Sequence, residues 1–323
     1  MSFSTIKGDA RMKQKFSTTR LFLTGLILAG LIGFGSFPFS GLPADARTSQ
    51  EEVQIPEIST PRKENRIDVG GRKLHCFVYG SGAPTIVLVS GLGAPQEYWN
   101  YVVPDLAAIT TVVTYDRAGV GKSELGDLPA HGEQSVKDLH VLLDTLGVPR
   151  PYILVGHSLG GMIARLFASL VPEGMGGLIL EDTQHEDNLA ELRRILKGKD
   201  LEAFDELTSG MLALPENPKT EADYRNMTRE QLKKSGPLPR IPYLVLTVAG
   251  RAKAMGPMFS AEAIEEMGEM DSVLNEKLAA LIPGGRLIVV EGTGHNIHMD
   301  KPQLLIGPVR EMIKEVREKK QTI

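Results

Sequence analysis

The stretch that decides the fold is residues 151–163, PYILVGHSLGGMI, where an apolar run reaches Gly156-His157-Ser158-Leu159-Gly160 and passes at once into a helix-like pattern. Glycine is abundant, 34 of 323 residues, so a G-x-S-x-G pattern says little by itself. A tight turn with an incidental serine is the plain alternative. Context separates the two. A strand over 151–155 that turns straight into a helix is the setting a nucleophile elbow needs. Gly156 and Gly160 relieve crowding at such a strained turn, and the new helix directs its partly positive N-terminus toward the serine.

Outward from this point, strand-like and helix-like segments alternate. Apolar runs that end in glycine or a turn, TIVLVSG (85–91), TTVVTYD (110–116), GGLILED (176–182), PYLVLTVAG (242–250) and GRLIVVEG (285–292), have the unbroken hydrophobicity of strands covered on both faces. RKLHCFVYG (72–80) reads as an earlier strand. GEQSVKDLHVLLDTLGV (132–148) has apolar residues at 136, 139, 142, 143 and 146, the helical spacing. The order predicts an α/β architecture, a doubly wound and mostly parallel sheet with helices on both faces. Its core covers residues 66–182 and 241–323, and residues 183–240 form an excursion too long for a plain loop. Three helical patterns in that excursion predict a helical cap over the carboxyl ends of the strands.

Composition bounds the function. The chain has 42% hydrophobic and 24% charged residues, as a folded globular protein should. The net charge of −4 divides unevenly: residues 1–46 hold five basic residues against Asp9 and Asp45, so the remainder is acidic. With no basic stripe, nucleic acid is not an expected partner. The basic N-terminus leads into the uncharged LFLTGLILAGLIGFGSFPF (21–39) and then Pro43-Ala44-Asp45-Ala46. This is the pattern of an export signal cut after Ala46, or else of a retained membrane anchor. Either places the folded part outside the cytoplasm, as a periplasmic, secreted or anchored protein. Membrane contact is expected only through this segment. Residues 47–65, polar and proline-containing, read as a linker. The single cysteine, Cys76, excludes an intrachain disulfide and reads as a packed thiol.

A serine hydroxyl needs a histidine to take its proton, a third group to orient that histidine, and donors for the oxyanion. Of seven histidines, His295 stands out. It lies in VVEGTGHNIHMDKP, a glycine-rich loop after the last strand, on the carboxyl edge where open sheets bind ligands. His298, three residues on, reads as a packing or hydrogen-bonding residue. For the acid, Asp182 is the first residue past an apolar strand and fits the order Ser…acid…His. Glu181, Asp187 and Glu262 stay open as alternatives. SGLG at 90–93 follows a buried strand, so the amides of Leu92 and of Leu159 are the expected oxyanion donors. GVGKS at 119–123 lacks the first glycine of a phosphate-binding loop, because residue 116 is Asp. Residues 294–298 do not make a metal-binding H-E-x-x-H, and no cofactor is implied.

LVSGLGAPQEYW, VVTYDRAGVGKSE, PYILVGHSLGGMIARLFA, LILEDTQHED and VVEGTGHNIHMDKPQLL, in this order, resemble the α/β-hydrolase superfamily over roughly residues 66–315. The likeness is greatest to bacterial serine hydrolases with a G-H-S-L-G-G elbow. The resemblance implies Ser158 as nucleophile, His295 as base, and the Leu92 and Leu159 amides as the oxyanion hole. Most members place the acid one strand later. This chain departs there and resembles the subset that supports Asp182. It also has Ser90 where many members have histidine, and its Asp116-Arg117 pair resembles a loop-pinning element. Serine at the elbow, where epoxide hydrolases and haloalkane dehalogenases carry aspartate, implies acyl transfer to water, and a small-molecule, apolar carboxylic ester is the expected substrate. The insertion's leucines, methionines and Phe204 suit an apolar pocket or simply the packing of the cap. Other serine-dependent chemistry on the same scaffold (a peptidase, a C–C bond hydrolase, a cofactor-free haloperoxidase) and a non-catalytic binding protein are the alternatives.

Overall fold

The computed structural model describes residues 55–212, 216–256 and 258–321. The expected export or anchor segment and most of the linker therefore lie outside the described residues.

The described residues open with three strands, β1 (Arg62–Asp68), β2 (Lys73–Tyr79) and β3 (Thr85–Val89). A 3₁₀ turn at Gln96–Tyr101 leads to the short helix α1 (Val103–Ala107), then β4 (Thr111–Tyr115) and α2 (Gly132–Leu146). The pivotal unit is β5 (Tyr152–His157) running into α3 (Leu159–Leu170), followed by β6 (Met175–Glu181). Next come α4 (Asn188–Ile195), α5 (Gly198–Leu212) and α6 (Arg225–Lys234), inserted before β7 (Tyr243–Val248). The chain ends with α7 (Ala261–Ala279), β8 (Arg286–Val290), the single turn α8 (Ile297–Asp300) and α9 (Gln303–Gln321).

The strands form one eight-stranded sheet in the order β1-β2-β4-β3-β5-β6-β7-β8. β2 runs antiparallel to β1 and β4, and all other neighbours are parallel. Every residue of β3, β4, β5 and β7 is buried, which is why these strands read as unbroken apolar runs. Side chains alternate between two cores. Val87 and Val89 point to the layer filled by α2, α3 and the end of α7, whereas Ile86 and Leu88 point to the layer under α1 and α9. The predicted α/β sheet is the one observed.

Two departures have clear causes. The linker was expected to run to residue 65, but β1 begins at Arg62. RKENRID is an edge strand with its side chains mostly in solvent, so it carries no apolar alternation. Helix α7 has no counterpart in the sequence reading. Its buried stripe (Ala263, Met267, Leu274, Leu278) is narrow and embedded among acidic residues.

The three inserted helices fall on the three predicted helical patterns. Leu189, Leu192, Leu196 and Phe204 pack against Ala252, Met255, Phe259 and Met267, on the segment after β7 and on α7. The insertion's apolar side chains thus dock it onto the core.

Candidate active site

Ser158 occupies the single residue between β5 and α3, at φ 53° and ψ −120°. Its amide donates to the Glu181 carbonyl at 3.0 Å, which fixes the turn against the neighbouring strand. The glycines on either side are required by close approach. A Cβ on Gly156 would lie 2.5 Å from the Gly160 carbonyl oxygen, and one on Gly160 would lie 2.1 Å from that of Val89. Among the described residues only two non-glycine residues have positive φ, Ser158 and Asp182, the latter at 45°. Such backbone costs on the order of 1–3 kcal/mol each and persists where the surroundings over-determine it, typically at functional sites.

Asp182 is the first residue past β6 and is completely buried. Its Oδ2 accepts from Nδ1 of His295 at 2.5 Å. Its Oδ1 accepts from Thr247 Oγ1 at 3.1 Å, from the Val248 amide at 3.2 Å, and from a guanidinium nitrogen of Arg251. Burial works to raise the Asp182 pKa. The Arg251 charge and the bond from His295 outweigh it and hold the carboxyl well below the usual carboxylate range. Arg251, itself buried, also lies 3.3 Å from Asp271. Ser158 and His295, in contrast, are only half-buried, so both are reachable from solvent while the Asp182 carboxylate is sealed off.

The other sequence candidates are placed elsewhere. Glu181 points away from His295 and accepts from both the amide and Nδ1 of His298, each at 2.8 Å. His298 is buried and stacks on Trp99 with ring centroids 4.3 Å apart, a packing residue as expected. Asp187 sits at the N-cap of α4 and pairs with Lys233 at 3.4 Å, and Glu262 is exposed in the first turn of α7. His157 donates from Nε2 to the His295 carbonyl at 3.0 Å, bracing the histidine loop. Burial, then the neighbouring His295 and His298, push its pKa well down, so it is neutral.

Leu92 and Leu159 flank the serine from two directions. Leu159 is the first residue of α3, so its amide is one of the helix's unpaired donors. The Leu92 loop is held by Arg117, whose Nη1 and Nη2 donate to the carbonyls of Ser90 and Gly91, each at 2.6 Å. In a trans peptide the C=O and N–H point in opposite directions. Arg117's hold on the Gly91 carbonyl therefore turns the Leu92 N–H to the other side of the loop. A Cβ built on Gly91 would lie 3.4 Å from Ser158 Cβ, so this loop runs directly beside the elbow. Ser90 accepts from Trp99 Nε1 at 2.9 Å. Asp116 pins the adjoining loops, accepting from the amides of Gln96 and Lys122 at 2.8 and 2.9 Å.

Sequence reasoning missed two participants. Arg251 stands just past β7, where an arginine carries none of the residue signals of a Ser-acid-His set. Glu221, from the insertion, accepts from Arg117 Nε at 2.6 Å and from the Gly93 amide at 2.6 Å. No local signal marks it. Among the described residues, no group of three or more His, Cys, Asp or Glu side chains is placed to hold a metal ion.

Comparison with known proteins agrees with this fold. The model of the alpha/beta hydrolase family matches residues 86–307. An uncharacterized protein of Bacillus subtilis, YqjL, is 30% identical over 226 residues, spanning 70% of this chain and 82% of the relative. Among solved structures, a thermophilic esterase from Thermogutta terrifontis superposes with a TM-score of 0.52 at 22% identity, covering 79% of this chain and 99% of that one. A haloalkane dehalogenase loop variant from Bradyrhizobium elkanii superposes with a TM-score of 0.55 at 15% identity, covering 81% and 99%. These two neighbours carry different activities, so likeness at this level speaks for the fold alone.

Proposed function

Because the chain belongs to the alpha/beta hydrolase family, and as such is a hydrolase of small molecules, we propose that it cleaves carboxylic esters through an acyl-enzyme on Ser158. The observation that carries this reading is the 2.5 Å contact between Asp182 and His295, made on the same sheet edge as a serine held in strained backbone. Serine at the elbow favours acyl transfer over chemistry that needs an aspartate there.

In this reading Ser158 Oγ attacks the ester carbonyl carbon while Nε2 of His295 takes the hydroxyl proton. Asp182 stabilises the resulting imidazolium at Nδ1. The amides of Leu92 and Leu159 receive the oxyanion of the tetrahedral intermediate. His295 then passes its proton to the departing alkoxide, the C–O bond breaks, and the acyl group stays on Ser158. Water attacks the acyl carbon as His295 takes its proton, releasing the acid and restoring Ser158. The inserted helices of residues 183–240 act as a cap over the carboxyl ends of the strands. The leucines and Phe204 that suggested an apolar pocket are occupied in docking that cap, so ester chemistry has firmer support than an apolar substrate. An export signal in residues 1–46 would place the activity outside the cytoplasm, which the N-terminal residue of the purified protein checks.

A fluorophosphonate probe tests the reading directly. The wild type is expected to label and Ser158→Ala to stay unlabelled; equal labelling of both removes Ser158 from the role. Turnover of p-nitrophenyl esters against aminoacyl amides then separates an esterase from a peptidase.

A further inference from the structure

Six arginines are buried among the described residues. Four of them meet a carboxylate: Arg72 with Asp138, Arg117 with Glu221, Arg165 with Glu186 and Arg251 with Asp182. Arg225 and Arg229 do not. They lie one turn apart on the same side of α6, with 5% and 6% of their surface exposed. Arg225 donates from Nε to the Ala222 carbonyl at 3.0 Å, and its Nη1 has no partner. Arg229 reaches Gln184 Oε1 at 3.3 Å and Asn226 Oδ1 at 3.5 Å, and its Nε has no partner. All of these acceptors are neutral. The nearest acid in sequence, Asp223, is turned to its own loop, where one oxygen accepts from Lys219 N, Thr220 N and Thr220 Oγ1.

The location adds to the anomaly. Arg225 is the first residue of a ten-residue helix whose first turn has no acidic residue and no side-chain cap, so like charge is stacked on the positive end of the dipole. Burial and the neighbouring Arg225 push the Arg229 pKa down to about 10, still protonated at neutral pH. A cavity of about 360 Å³ opens beside Arg229 between the inserted helices. Its other charged lining residues are already matched: Glu186 by Arg165, Arg193 by Asp205, and Glu230 by Lys233. Asp223 lies near enough for its charge to favour the Arg225 cation without touching it, whereas Arg229 is met only by burial and the like charge of Arg225, a strongly unfavourable setting for a guanidinium. Such a local violation is expected where a ligand supplies the missing charge.

We propose that Arg225 and Arg229 form an anion-binding site in the insertion, taking the carboxylate or phosphate of a small molecule. Gln184, the contact of Arg229, is two residues past Asp182 on the same sheet edge. The anion can therefore be a second acid group on the substrate, which deepens the ester-hydrolase reading and rests on it, or a separate small anion. The chemistry recognised is the same: planar N–H donors and charge meeting an oxyanion.

The test begins without catalysis. The full chain carrying Ser158→Ala is titrated calorimetrically at low ionic strength with succinate and with inorganic phosphate. Saturable binding of one of them is expected, weakened about tenfold or more by Arg229→Met, in line with the loss of a charge-assisted hydrogen bond. No saturable binding of either anion overturns the site, as does binding that Arg229→Met leaves unchanged. Arg225→Met serves the same comparison if Arg229→Met does not fold. The second arm uses active protein and compares kcat/KM for mono-p-nitrophenyl succinate and p-nitrophenyl butyrate. If Arg229→Met lowers the ratio of acidic to neutral ester about tenfold, the anion belongs to the substrate. If the ratio holds while anion binding is lost, the site serves a separate anion. If the unmutated protein hydrolyses neither ester, the ester-hydrolase reading fails, and the titration still decides the site.

Discussion

At the scale of single residues, Asp182 is a carboxylate with two masters. Asp182 gives one oxygen to His295 and the other to Arg251, so its charge is both fixed in place and partly offset. Asp182→Asn removes the charge that stabilises the imidazolium and presents an amide where Nδ1–H must donate. Turnover on a p-nitrophenyl ester is expected to fall about 10⁴-fold with KM little changed, as loss of the orienting carboxylate does in triads generally. A loss under about tenfold would move the orienting role to another acid. Arg251→Met separates charge from geometry. Without the guanidinium, the whole carboxylate charge faces the imidazole and favours its protonated form. The acidic limb of the kcat/KM profile should move to higher pH. A limb that stays in place, with only the rate reduced, would mean that Arg251 merely packs.

At the scale of elements, one side chain of the insertion is tied to the loop carrying Leu92. Glu221 reaches from the inserted segment to Arg117 and to the Gly93 amide, so the loop carrying Leu92 is gripped from both sides. This pair is buried, and removing one partner leaves the other charge uncompensated, at a cost of about 3–5 kcal/mol. Glu221→Gln should lower thermal stability markedly and, by freeing the Leu92 peptide, reduce kcat more than it raises KM. A double-mutant cycle over Arg117→Met and Glu221→Met isolates the link; additivity within about 0.5 kcal/mol would show that the two do not act as a unit. Glu221 was illegible in the sequence because the two partners are 104 residues apart and nothing periodic relates them. The charged faces of the insertion look like solvated helix surface until docking buries part of them. Ser158, Asp182 and His295 were legible for the opposite reason. Each stands at the end of a strand whose apolar run shows its boundary, and the sheet topology brings those boundaries to one edge.

At the scale of the whole molecule, acid should strike the seam between insertion and core. Arg165 on α3 holds both oxygens of Glu186, just past β6, at 2.7 and 3.1 Å. Burial tends to raise the Glu186 pKa, but the bonds and charge of Arg165 prevail and bring it from 4.5 to about 2. Since the folded-state pKa lies below the unfolded one, the unfolded chain binds the proton first as pH falls. The stabilisation is complete above pH of about 4.5 and drains away as the pH falls toward about 2. Asp182 is depressed in the same sense and adds to the trend. Urea midpoints measured across this range should therefore fall with pH in the wild type. In Glu186→Gln, which starts less stable at neutral pH because Arg165 has lost its counter-charge, the curve should be flatter over the same interval. Parallel curves for the two proteins would place the acid sensitivity elsewhere. A flattened one would tie it to this ion pair, the point where the sheet-edge loop that opens the insertion meets the helix of the serine elbow.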